Sequence, residues 1–198
     1  MHGAGDVRFF DRVAPLYDLV MPPASGEALA AGFDRAKRPI EQLLDLGGGS
    51  GRAAAAIAGP ETTVVDASVP MLTRARTGRG LSAVAGDAGQ LPIRDDAVDA
   101  AMVVDALHHL PDRTTTLREA ARVLAPGGVL VVQEFDPTHP LGRALEVAEH
   151  AIGMRSTFVA PDELADELFA VGFTPTVIDR GFSYTVAGVR RDATEPRR

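Results

Sequence analysis

Residues 43–51 read LLDLGGGSG, an apolar run that enters a glycine-rich turn and leads into an alanine-rich stretch. Glycine suits such a turn because a side chain would hold a ligand away from the backbone N–H groups. N–H groups exposed at a helix start then face an anion, assisted by the helix dipole. The spacing is not that of a dinucleotide fingerprint, G-x-G-x-x-G, because Arg52 stands where the third glycine is needed. A phosphate-cradling loop ending in Gly-Lys-Ser/Thr is absent too. What stands here is G-x-G-x-G, from Gly47, Gly49 and Gly51, with Asp45 two positions ahead. That pattern suits a ligand carrying its own ammonium and carboxylate, such as the methionine end of S-adenosylmethionine.

Two more carboxylates follow at comparable places. Val64-Val65-Asp66 ends one β-branched run, and Gly86-Asp87-Ala88 follows the next. An ionised aspartate accepts from both hydroxyls of a ribose. Each aspartate alone also reads as a turn former or helix cap. Three of them at consecutive strand ends, beside the glycine turn, carry more weight than any one. His108 and His109 follow the fourth apolar run, and imidazoles there suit proton transfer near neutral pH. Capping or packing beneath the Leu110-Pro111 turn explains them equally well. His139 is a poorer candidate base, and His2 and His150 poorer still. No carboxylate and histidine grouping has metal-ligand spacing along the chain, so no metal is expected.

Strands are expected over Gln42–Leu46, Thr62–Val65, Leu81–Ala85, Asp99–Val104, Val129–Phe135, Thr176–Asp179 and Phe182–Val189. Helices are expected between them over Gly51–Ala58, Val69–Arg76, Thr114–Leu124 and Asp162–Val171. Such alternation argues for βαβ units and a parallel sheet covered on both faces. Pro126-Gly127-Gly128 is read as a helix break, Gly172 as a helix cap, and Arg180-Gly181 as a hairpin that turns one of the last strands antiparallel. Phe9, Phe10, Val13, Leu16, Tyr17 and Val20 recur at helical spacing until Met21-Pro22-Pro23, and a second helical stretch runs over about Gly26–Lys37. The chain is therefore divided into an N-terminal helical cap of residues 1–40, packed across an end of the sheet, a core of residues 41–191 and a flexible tail of residues 192–198.

The 198 residues suit one domain. The absence of cysteine excludes disulfides, thiolate metal sites and a thiol nucleophile. A net charge of -7 disfavours nucleic acid, and the arginines near both ends lack interleaved aromatics. No stretch approaches the roughly 20 apolar residues that span a bilayer, and the first residues lack signal-peptide order, so a cytoplasmic chain is expected.

Taken together, these segments resemble the class I S-adenosylmethionine-dependent methyltransferases over about residues 40–135. Leu44 through Gly51 resembles the family's first motif. Val65-Asp66-Ala67-Ser68 with Met71, Leu72 and Ala75 resembles the ribose segment, and Gly86-Asp87-Ala88 with Leu91-Pro92 and Asp99 the adenine segment. Asp105 through Leu110 and Pro126 through Leu130 resemble the segments after strand four and before strand five. The resemblance implies a Rossmann-like, doubly wound seven-stranded sheet with an antiparallel last strand. It implies S-adenosylmethionine as cofactor, with Asp45, Gly47, Gly49 and Ser50 around its methionine part and Asp66 and Ala67 at the ribose. Asp87 and Ala88 border the adenine, and Asp105 lies near the sulfonium. Phe10 through Asp18, and more weakly Gln133-Glu134-Phe135, resemble the ubiquinone/menaquinone C-methyltransferases. Ala106-Leu107-His108-His109 departs from that branch's Gly-Leu-Arg-Asn-like segment, and Asp136–Val159 is shorter than its acceptor cover. The expected reaction is C- or O-methylation of a small, aromatic or quinone-like acceptor, with His108 or His109 as base. A prenylated quinol would add peripheral membrane contact. The alternatives are an NAD-type oxidoreductase and a non-catalytic, cofactor-binding partner protein.

Overall fold

Seven strands form one sheet in the order β3-β2-β1-β4-β5-β7-β6. They are β1 Gln42–Leu46, β2 Glu61–Asp66, β3 Ser82–Ala85, β4 Val98–Val104, β5 Leu124–Phe135, β6 Phe173–Asp179 and β7 Ser183–Arg190. The first five neighbours pair in parallel, and β7 runs antiparallel to both β5 and β6. This computed structural model describes residues 6, 7, 9–12 and 26–192. The expected helical positions Val13, Leu16, Tyr17 and Val20, the Met21-Pro22-Pro23 stop and the tail beyond Asp192 lie outside the described residues. Among those described, no helix is long and apolar enough to cross a membrane.

Side-chain alternation divides the core between the two sheet faces, as strands covered on both sides require. Leu44, Val65, Ala101, Val103, Leu130 and Val132 point to one face. There they meet Leu117 of α3 (Arg113–Val123) and Leu164 and Leu168 of α5 (Pro161–Ala170). Leu43, Val64, Ala100, Met102, Val129 and Val131 point to the other, against Leu29 of α1 (Gly26–Phe33) and Leu72 and Ala75 of α2 (Val69–Arg79).

Four local expectations change. The helix expected over Gly51–Ala58 is only a 3-10 turn, Ala54–Ala56. Gly51 sits at φ 76°, and its backbone lies against the Leu81 side chain, leaving too few residues before Gly59-Pro60 for an α-helix to propagate. The stretch expected over Gly26–Lys37 stops at Phe33, because the chain turns to place the Lys37 N–H on the Gly127 carbonyl at 2.8 Å. It lies on a sheet face rather than across an end: a Cβ on Gly32 would come within 2.7 Å of Val131. Pro126-Gly127-Gly128 lies inside β5 rather than after a helix, since α3 already ends at Val123. Gly128 is required there, as a Cβ would approach the Asp99 carbonyl to 2.6 Å. Finally, α4 (Pro140–Ala151) fills a segment that carried no helix expectation.

Candidate functional site

A cleft opens where β1, β2 and β4 end, the place where ligands bind in open α/β sheets. Its floor is the glycine turn. Gly47 and Gly49 adopt φ 67° and 54°, conformations that other residues rarely enter. Gly48 serves closeness instead, because a Cβ there would lie 2.3 Å from the Asp45 carboxylate carbon. The turn thus folds directly over Asp45, which is fully buried with no well-formed hydrogen bond to either oxygen among the described residues, the Ala54 amide being too poorly placed to count as one. Burial and then the Asp66 charge push its pKa up to about 7, and the Ala54 amide and Arg52 offset only part of that. Buried polar groups are nearly always partnered, so an orphan carboxylate lining a cleft marks a place for a cationic ligand group.

Asp66 closes β2 and accepts from the Gly49 N–H at 2.9 Å and the Ser68 N–H at 2.7 Å. One carboxylate thereby stitches the glycine turn to the start of α2. Burial still holds it above its ordinary range. Two accepted bonds leave roughly two further lone-pair positions for a ligand's hydroxyls. Asp66→Ala is therefore expected to act on both ligand and fold. Loss of charged hydrogen bonds should weaken cofactor binding by roughly 1.5–3 kcal/mol, about tenfold to 150-fold. The freed Gly49 and Ser68 amides should lower stability as well. Calorimetry with S-adenosylhomocysteine and a thermal melt check the two effects, and unchanged affinity in a folded variant would leave Asp66 a turn residue only.

Asp87 and Ala88 line the same cleft beyond β3, with Asp87 accepting from the Gly89 N–H at 2.8 Å. Asp105 stands after β4 in a left-handed conformation, φ 51°, and pairs with Arg52 at 2.9 Å. Burial and then Glu134 raise its pKa, against the pull of Arg52. A non-glycine residue held at positive φ costs about 1–3 kcal/mol, and such positions cluster at functional sites.

The two histidines part company. His109 borders the cleft, with Nδ1 3.1 Å from Asp6 Oδ2 and its ring edge-on to Phe10 at 4.9 Å. Burial and then the charge of His108 lower its pKa to about 4, so it is neutral at pH 7. His108 turns away from the cleft, stacked on Phe158 at 4.3 Å, with Nδ1 2.6 Å from Glu134 Oε2. Burial alone would lower its pKa, but Glu134, Glu149 and Asp105 raise it overall. Glu134 also accepts from the Leu107 N–H at 2.7 Å, so the buried pair fixes the loop that presents Asp105 and His109.

Of the residues read from sequence, Asp45, Gly47, Gly49, Asp66, Ala67, Asp87, Ala88, Asp105 and His109 line this one cleft. Ser50 does not; it is fully buried beneath the turn. Asp99 lies at the opposite end of the sheet, accepting from the Glu41 and Gln42 N–H groups at 3.0 Å each. Met71, read as part of the ribose segment, lines it too, and Arg52 and Asp6 join the lining without having been expected there. Arg52 had stood only as the residue that spoils a dinucleotide fingerprint. Asp6 meets His109 across 103 positions, a distance no local pattern bridges.

The methyltransferase domain family matches residues 44–132. A demethylmenaquinone methyltransferase of Mycolicibacterium vanbaalenii is 39% identical over 145 residues, 67% of this chain and 61% of that protein. The O-methyltransferase cnsE of Penicillium expansum is 32% identical over 143 residues, covering 67% of this chain and 52% of that one. The chain thus spans less than two thirds of the length of these curated relatives. Among solved structures, a Thermotoga maritima S-adenosylmethionine-dependent methyltransferase, described as a possible histamine N-methyltransferase, superposes with a TM-score of 0.76 at 25% identity. The match covers 93% of this chain and 99% of that one.

Proposed function

We propose that the chain, whose residues 44–132 match the methyltransferase domain family, is a class I S-adenosylmethionine-dependent methyltransferase that methylates a small, aromatic, quinone-like acceptor at carbon or oxygen. The observation that carries the proposal is the orphan Asp45 carboxylate beneath the glycine turn, a partner for the ammonium of S-adenosylmethionine. Arg52, held by Asp105, offers a cation to the methionine carboxylate. Asp66 receives the ribose hydroxyls, and Asp87 and Ala88 border the adenine. The acceptor then meets Phe10, His109 and Leu110 on the other wall. Transfer forms the bond from acceptor to methyl carbon as the carbon–sulfur bond breaks, leaving S-adenosylhomocysteine. Positioning supplies much of the rate in such an in-line displacement. His109 takes the acceptor's proton, with Asp6 orienting its ring. The name of the Mycolicibacterium relative, a demethylmenaquinone methyltransferase, supports a quinone precursor as acceptor and lends no support to hydride transfer to NAD.

The test is incubation of the protein with methyl-labelled S-adenosylmethionine and a panel of quinols, phenols and amines, read by mass spectrometry. The expected result is one methyl group added to quinols or phenols. Transfer confined to amines, protein or RNA would overturn the acceptor class.

A further inference from the structure

We propose that His108, His109 and Glu149 form a binding site for a divalent transition-metal cation of the zinc class beside the acceptor wall of the cleft. One ring nitrogen of each histidine and one Glu149 oxygen lie within 4.8 Å of one another. The grouping arises from the fold, since α4 brings Glu149 to the turn that follows β4. His108 keeps Nδ1 on Glu134 at 2.6 Å, which leaves Nε2 3.8 Å from Glu149 Oε2. His109 Nδ1 is held by Asp6 at 3.1 Å, and the Ser156 hydroxyl donates to Glu149. Imidazoles that ligate metals almost always have their second nitrogen fixed by a carboxylate or carbonyl, as Glu134 fixes Nδ1 of His108.

Charge points in the same direction. Asp6, Asp105, Glu134 and Glu149 converge on these two rings, and Arg52 is paired with Asp105. With Arg52 on Asp105 and His108 on Glu134, Asp6 and Glu149 keep negative charge that a dication would balance. Nitrogen and oxygen donors in this mix suit Zn²⁺, Co²⁺ or Ni²⁺ rather than Mg²⁺ or Ca²⁺. Ligand atoms around tetrahedral zinc stand about 3.3 Å apart, so the side chains close by roughly 0.5–1.5 Å on loading. Coordination at either nitrogen of His109 weakens the other as a base, so metal and acceptor make alternative demands on that ring. The site rests on this geometry and is independent of the methyltransferase reading.

The test uses chelator-washed, untagged full-length protein titrated with Co²⁺, followed by visible absorption, and with Zn²⁺, followed by calorimetry. One equivalent of each should bind. Glu149→Gln and His109→Gln should each weaken binding at least tenfold while melting as cooperatively as wild type, and His139→Gln, outside the cluster, should bind normally. Absence of stoichiometric binding to wild type, or wild-type affinity in both Glu149→Gln and His109→Gln, would overturn the proposal.

Discussion

His109→Gln is expected to lower methyl transfer by up to about 10²-fold, the low end for a positioned base because a pKa near 4 lies well below the working pH, while S-adenosylhomocysteine binds as before. The separation follows from geometry. His109 stands on the wall opposite the glycine turn, with Nδ1 engaged by Asp6 and the ring braced by Phe10. Its pKa of about 4 sets the sign of the pH dependence. The base must be unprotonated, so this group takes activity away only as pH falls through about 4. Over the range where an unperturbed histidine would titrate, near 6.5, the His109 contribution should be flat. Single-turnover rates across pH 5–8 check this, and a rise centred near 6.5 that vanishes in His109→Gln would contradict the assigned environment. His108→Gln should behave differently. It leaves the buried Glu134 without its charged partner, a loss of about 3–5 kcal/mol for a broken buried pair, and should show first as a lower melting temperature.

Asp45→Asn is expected to move stability and cofactor affinity in opposite directions. The folded protein raises the Asp45 pKa from 3.8 to about 7, which corresponds to about 4 kcal/mol at pH 8. Because the folded value exceeds the unfolded one, this is a penalty: it is absent below about pH 4, grows as pH rises, and is complete above about 7. Asparagine removes the buried charge but leaves an amide without a partner, which costs roughly 1–3 kcal/mol. The net expectation at pH 8 is a gain of about 1–3 kcal/mol, or roughly 2–12 °C in melting temperature for a domain of this size. Binding should suffer at the same time. Losing one side of a buried ion pair costs about 2–5 kcal/mol, roughly a 30-fold to 5,000-fold rise in Kd. In the wild type, affinity should weaken as pH falls below about 7, since the ammonium selects the ionised carboxylate. Melts and calorimetry at pH 6 and 8 test both signs, and a variant neither stabilised nor impaired would remove Asp45 from the site.

Much of the architecture was legible because each layer leaves a local signature. Buried parallel strands read as short apolar runs, and Gly47, Gly49, Asp45, Asp66 and Asp87 sit at strand ends that follow directly from those runs. The misreadings came where distant contacts outweigh local preference. Alanine-rich residues 52–58 favour helix, but Gly51 must lie against Leu81. Asp99 fits a motif by spacing, yet its carboxylate anchors the start of β1 from the far edge. His108 and His109 are adjacent and chemically identical, so only the surroundings, Glu134 with Phe158 for one and Asp6 with Phe10 for the other, separate a buried fastening from a cleft residue. Glu149 was invisible for the same reason: its relation to the histidines exists only after α4 folds back over the turn.

The most direct measurement is a calorimetric titration of the wild-type protein with S-adenosylhomocysteine at pH 8, with NAD as comparator. One molecule of S-adenosylhomocysteine should bind per chain. At about 100 times its Kd it should add roughly 2.7 kcal/mol of stability, raising the melting temperature by about 5–10 °C. NAD should give neither heat nor shift. Binding of NAD together with no response to S-adenosylhomocysteine would contradict the assignment of this cleft.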